Sequence, residues 1–171
     1  MGEIKIIEDC NAPARFIYLT YSGKNPFDCA SKIAGMLQPF FKVSSAGISE
    51  TDFRWDKTGD PITFYFTWWV EKAGTESPSK MTKMRFNIKV QGSQTKETKE
   101  GEFTLQLDGR LMTAFSYNNP FLKGLFWMYD YLFYNKRRAQ SLKICEELNN
   151  EFRDEIKEHF NLAIIDKGGG I

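Results

Sequence analysis

The feature that most constrains the fold is a change in the period of the hydrophobic pattern near residue 118, from two to between three and four. Between Lys42 and Tyr117 large apolar residues take alternate positions. They run Phe53 and Trp55; Ile62, Phe64, Phe66, Trp68 and Val70; Met84, Phe86, Ile88 and Val90; and Phe103, Leu105, Leu107, Leu111 and Phe115. Successive side chains of a strand point to opposite faces, so this alternation describes strands with one buried face. The separators at 56–61, 72–79 and 91–101 are rich in Gly, Pro, Ser, Thr and Lys, as turns are. The reading is a four-stranded antiparallel meander with long hairpins, in which Gly109 marks a bulge or a point of close packing.

Beyond residue 117 the pattern is helical. Asn118-Asn119-Pro120 supplies a cap and a proline at the first helical position, and no Gly or Pro follows Gly124 until after Leu162. Leu142, Cys145, Leu148, Phe152, Ile156 and Phe160 recur at spacings of three and four, with Glu146, Glu147, Arg153, Asp154 and Lys157 off that stripe. Residues 139–161 therefore read as an amphipathic helix with one dry face, packed along the sheet. At the other end, residues 3–8 and 14–22 read as two short strands or one bent strand, separated by the turn Asn11-Ala12-Pro13. Asn25-Pro26 then opens a short amphipathic helix carrying Ala30, Ile33, Leu37 and Phe40, which Pro39 should end by removing a donor. The expected architecture is α+β, one domain over residues 1–165, with 166–171 as a loose tail.

This order of elements, from about Ala14 to Leu162, resembles the helix-grip architecture of the START, Bet v 1 and polyketide-cyclase superfamily. The resemblance lies in element order, and no residue motif carries it. It implies a curved antiparallel sheet wrapped around a long C-terminal helix, with an apolar cavity between them. That superfamily usually shows two short helices and about six strands after its first strand, against one helix and four strands here, so another sheet-plus-helix α+β fold stays open. It has no universal catalytic residue, so none is carried over.

Charge and cysteine usage narrow the function classes. With 23 basic and 22 acidic residues the formal net charge is +1, which leaves no global field to hold duplex DNA. Cys10, Cys29 and Cys145 are odd in number, far apart and without a C-x-x-C pair, which argues against a disulfide framework and against a zinc knuckle, and for a reducing compartment. MGEIKIIEDC has no apolar stretch after a basic start, and no run of about 18 apolar residues occurs. The expected location is the cytoplasm.

Chemistry-bearing motifs are few. His159 is the single histidine, near a helix C-terminus whose dipole favours its charge, so triads and histidine-built zinc sites have no basis. The glycines at 168–170 follow the helix instead of preceding one, so no phosphate-cradling loop is present. Arg54, Glu71 and Arg85 read as outward strand residues. Among the carboxylates Asp130 stands out, because eleven of the fourteen residues 121–134 are apolar or aromatic. Buried unpaired it would have a raised pKa; the alternatives are solvent, a tyrosine hydroxyl, Lys123 or Arg137 as its partner. No catalytic residue, metal ligand or cofactor is expected.

The same segment is the strongest functional signal. Aromatic residues make up 15% of the chain, and here they surround a helix, so packing one face on a sheet cannot cover them. The cover would be the molecule's own sheet, a second chain, an apolar ligand or a membrane surface. Fourteen residues span about 21 Å, enough to lie on a bilayer and too little to cross one. At least two rings among Phe126, Trp127, Tyr129, Phe133 and Tyr134 should face solvent or another chain. Trp127, Phe133 and Tyr134 with Lys136, Arg137 and Arg138 form the candidate membrane or partner surface. One basic triplet beside an acidic helix makes a poor groove for single-stranded nucleic acid.

Three functional expectations follow. The first is a non-enzymatic protein holding a small hydrophobic or amphipathic ligand between sheet and helix, against Phe53, Trp55, Phe64, Phe66, Trp68, Met84, Phe86, Phe103, Leu105, Phe126 and Tyr129, with Asp130 beside them. The same side chains would equally fill a solid core. The second is an interaction module, a homodimer or partner-binding surface, motivated by Tyr65 and Trp69 on the strand face opposite Phe64, Phe66 and Trp68. An enzyme of polyketide-cyclase type is the third.

Overall fold

In the computed structural model, which describes residues 2–74 and 82–165, the longest strand organises the sheet. β6 (Glu100–Tyr117) pairs along one side with β5 (Thr82–Gln94), which pairs with β4 (Ile62–Ala73), which pairs with the edge strand β3 (Ile48–Asp56), all antiparallel. This is the meander read from the alternation. The other side of β6 is shared by two strands: β2 (Phe16–Lys24) lies opposite Glu100–Asp108, and β1 (Gly2–Asp9) opposite Arg110–Tyr117. A short β7 (Ala163–Ile165) adds to β2, for seven strands among the described residues. β1 and β2 thus divide one edge of β6, and the turn between them steps across Gly109, where the Cys10 N–H donates to the Gly109 carbonyl at 2.9 Å.

Helix α1 (Pro26–Phe41) and a long C-terminal helix cover one face of this sheet. The C-terminal helix comprises α2 (Pro120–Tyr129), a π-helical turn (Asp130–Tyr134) and α3 (Asn135–Phe160). The alternating rows Phe64, Phe66, Trp68, Val70; Met84, Phe86, Ile88, Val90; and Phe103, Leu105, Leu107, Leu111 join Leu37, Phe41, Phe152 and Ile156 in one continuous core. Burying one such side chain is worth about 1.5–3 kcal/mol, so this core is what holds helices to sheet. Among the described residues no helix covers the opposite face. There Trp69 lies under the Arg85 guanidinium at 4.9 Å, and Glu71 takes both Lys83 and Arg85, so Arg54, Glu71 and Arg85 do point outward.

Several local expectations need correction. α1 runs through Pro39 to Phe41: the proline removes a donor only in the last turn, and Phe41 is fully buried between Phe86 and Phe152, at 4.6 and 5.0 Å between ring centroids. Gly109 stays in register opposite Phe86, and the irregularity in the meander falls between Glu50 and Asp52. Gly109 is instead a point of close packing, where a Cβ would meet Asn149, Cys10 and Phe86 at 3.4 Å each. The buried stripe of α3 is Ser141, Cys145, Asn149, Phe152 and Ile156, with Leu142, Leu148 and Phe160 at its half-buried flanks. Asn149 can be buried because its amide donates to the Asn11 side chain. The tail 166–171 and the separator residues 75–79 lie outside the described residues.

The cysteine reading is overturned. Cys10 and Cys145, 135 residues apart in sequence, form a disulfide with Cα atoms 5.6 Å apart. α3 crosses over the β1–β2 turn and brings them together, a juxtaposition that spacing along the chain does not register. The argument for a reducing compartment falls with it. Cys29 is the free cysteine, half-buried, and burial pushes its thiol up to about 11.

Candidate interfacial site

The site grows from one helix end. The Asn119 side chain accepts the Leu122 N–H at 2.8 Å and Pro120 occupies the first turn, so the cap read from the sequence starts α2. From Pro120 to Tyr134 only Phe126, Asp130 and Tyr134 are buried, at spacings of four. An α-helix of 3.6 residues per turn would rotate such a row away from its support; the wider π-helical turn keeps it in line.

Each member of the row has a partner on the sheet or the helix. Phe126 stacks on Phe115 of β6, 4.5 Å between centroids and 16° between planes. Asp130 accepts from Arg138 at 2.7 Å, and the same guanidinium reaches Glu8 of β1 at 3.1 Å. The Tyr134 hydroxyl hydrogen-bonds Thr82, which also bonds Thr113 at 3.2 Å. The sequence placed Tyr134 and Arg138 on the surface. Tyr134 is buried, and Arg138 is largely enclosed and committed to two carboxylates. Arg138, one turn further along the same row, is the partner of Asp130 that the sequence reading did not consider.

Every other side chain of the segment is open to solvent. Tyr131 is 80% exposed, Phe121 73% and Phe133 64%, and Leu122, Leu125, Trp127, Met128, Tyr129 and Leu132 are exposed as well. Three of the five rings, Trp127, Tyr129 and Phe133, meet the expectation of at least two, and they are joined by Phe121, Tyr131 and four aliphatic side chains. Lys123, Lys136 and Arg137 are exposed and carry no salt bridge among the described residues. Asp130, the sole carboxylate between Asp108 and Glu146, is buried and paired. The exposed charge of this stretch is therefore entirely cationic.

The residues expected to line a ligand cavity separate into three groups. Phe64, Phe66, Trp68, Met84, Phe86, Phe103 and Leu105 belong to the continuous core. Phe53 and Trp55 sit half-open at the β3 edge, where Phe27 stacks on Trp55 at 4.1 Å and the Lys57 ammonium caps it at 3.7 Å. Phe126, Tyr129 and Asp130 lie on the C-terminal helix, near the opposite end of β6.

The uncovered sheet face carries an open trough of 830 Å³, bordered by Tyr18, Arg54, Tyr65, Lys89, Gln91 and Gln106. Beside it a 270 Å³ recess holds Asp108, which sequence reasoning missed. Arg110 reaches its carboxylate at 2.8 Å and Arg15 at 3.7 Å; burial pushes the carboxyl up, and Arg15 opposes that shift. Nothing in the local pattern marks it, since alternation gives Asp108 an outward position; in the sheet it lies between Phe16 of β2 and Asn87 of β5, both of which line the recess. His159 is exposed with its ring against Phe160, at 4.6 Å. Among the described residues no group of three or more His, Cys, Asp or Glu is placed to hold a metal ion, and no helix is long and apolar enough to cross a membrane.

No family model matches the chain, and no curated protein matches it. Among solved structures it is similar to a protein of unknown function from Staphylococcus aureus, at 7% identity over 92% of this chain and 95% of that one, with a TM-score of 0.25. A putative uncharacterised protein from Rhizobium leguminosarum gives 9% identity over 84% and 98%, with a TM-score of 0.19. At those TM-scores neither likeness bears on fold or function.

Proposed function

We propose that this chain is a non-enzymatic protein that attaches to a membrane surface by placing the exposed aromatic side of α2 in the interfacial layer of the bilayer. The observation that carries the reading is the exposure of nine large apolar side chains between Phe121 and Phe133 around a helix that touches its own sheet along one row. Monomeric proteins rarely expose a contiguous apolar patch of this extent without a use for it. A fluid interface surrounds such a helix on every open side, whereas a folded partner covers one side. Each inserted large side chain contributes about 1.5–3 kcal/mol, so four of them at about 2 kcal/mol each reach the roughly 8 kcal/mol of micromolar attachment.

Two other readings have less support. A cavity-bound apolar ligand, which the helix-grip likeness implies, needs space among Phe64, Phe66, Trp68, Phe86 and Phe103, and these pack on one another and on the helices. Self-association through α2 would bring Lys123, Lys136 and Arg137 of two copies into one low-dielectric interface with few carboxylates to meet them.

Liposome flotation tests the proposal. The protein is expected to float with vesicles and the Trp127→Ala/Phe133→Ala variant to stay at the bottom while keeping its circular dichroism spectrum. Retention of the unaltered protein at the bottom, whatever the vesicle composition, would overturn it.

A further inference from the structure

From the distribution of charge along the C-terminal helix we infer that the membrane partner is an anionic leaflet, recognised by Lys123, Lys136 and Arg137 at the two ends of the apolar stretch. This rests on the interfacial reading above and adds the chemistry of the headgroup. The net charge of +1 would not suggest it. The cationic character is local, and it arises because the one carboxylate of the segment is removed from the surface: Asp130 is 7% exposed and paired with Arg138, which it shares with Glu8 of β1. The guanidinium spent on Asp130 and Glu8 is thereby excluded from the headgroups. That leaves Lys123 within the first turn of the exposed stretch, between Leu122 and Leu125, and Lys136 with Arg137 just past its end.

Long cationic side chains extend from an apolar zone toward phosphates, so cations near both ends suit a helix whose rings enter the interface while those ends stay at headgroup level. An acidic protein would satisfy the cations alone, but it would leave much of the apolar circumference wet.

Further along the same helix the sign reverses. Glu146, Glu147, Glu151, Asp154, Glu155 and Glu158 outnumber Arg153 and Lys157, and an anionic surface repels that half. Glu151 lies fourteen residues beyond Arg137, about 21 Å along a helix, and the Debye length at physiological salt is about 8 Å. The acidic half therefore does not cancel the cationic end.

The test compares phosphatidylcholine vesicles with vesicles in which about a third of the lipid is phosphatidylserine, using the full chain. The expected result is partitioning at least about tenfold stronger to the anionic vesicles, abolished as an excess by high salt and by Lys136→Glu/Arg137→Glu, with each cation at the surface contributing on the order of a fivefold factor. Glu151→Gln/Glu155→Gln should change it less than twofold, because those groups sit beyond the screening length. Equal binding to both vesicles overturns the inference and leaves the interfacial reading standing. An acidic-half variant that strengthens binding as much as the basic variant weakens it also overturns it, since the vesicle would then be sensing net charge. Binding to neither vesicle by protein with an intact fold sinks both readings.

Discussion

Asp130 and Arg138, eight residues apart on the C-terminal helix, meet at 2.7 Å with both side chains largely withdrawn from water. Removing one partner of an enclosed ion pair strands the other as an uncompensated charge, at a cost of about 3–5 kcal/mol. Arg138→Ala is therefore expected to destabilise the fold by that order. Replacing both, as Asp130→Leu/Arg138→Met, should recover most of the loss. Urea unfolding of the three proteins gives the comparison, and a single variant indistinguishable from the unaltered chain would contradict the packing described.

The Cys10–Cys145 bridge closes a loop of 135 residues, and a bridge of that kind stabilises by about 2–4 kcal/mol, chiefly through the unfolded chain. Reductant, or Cys145→Ala, should lower the unfolding midpoint accordingly. Thiol titration supplies an independent check: one reactive thiol in denatured protein without reductant, three with it. In the native state alkylation at mildly alkaline pH should be slow, because the Cys29 thiol titrates only at about 11. Three thiols without reductant would show that the bridge is absent.

Glu71 supplies a pH dependence with a definite sign. Its hydrogen bond with Lys83, aided by Arg85, holds the carboxyl below the ordinary glutamate range despite partial burial. A folded-state pKa below the unfolded one means stability that is present above the unfolded value and lost as pH falls through the folded one. Glu71→Gln should thus be less stable than the unaltered protein at neutral pH, by under about 1 kcal/mol for so exposed a cluster, and no less stable in strong acid. Denaturation curves at both extremes decide it, and a difference that persists in acid would refute the assignment.

Two glycines should respond in opposite directions to alanine. A Cβ on Gly92 would fall 2.5 Å from the Glu102 carbonyl oxygen and 2.6 Å from Cζ of Phe64, whereas Gly124 on α2 has nothing within 4 Å. Gly92→Ala is expected to cost about 1–3 kcal/mol by overpacking. Gly124→Ala should gain up to about 1 kcal/mol of helix propensity. Thermal unfolding of the pair reads both signs at once.

The sequence by itself determined what depends on neighbours a few residues away. Alternation from Phe53 to Phe115 set the four strands of the meander and the face each residue takes, and the Asn119 cap with its proline placed the start of the C-terminal helix. The exposure of Trp127, Tyr129 and Phe133 was legible for the same reason, since rings spread around a helix exceed what one sheet can cover. Tertiary structure decided what depends on where distant segments meet. The crossing of α3 over the β1–β2 turn joined Cys10 to Cys145 and drew Asn149 inward; the π-helical turn turned Tyr134 and Arg138 toward the sheet; and the pairing of β6 with β2 on one side and β5 on the other set Asp108 between Phe16 and Asn87. Periodicity is a property of the local backbone and survives in a one-dimensional record. The partner of a cysteine, a carboxylate or a tyrosine hydroxyl is chosen by packing between elements as much as 135 residues apart, and no spacing along the chain encodes it.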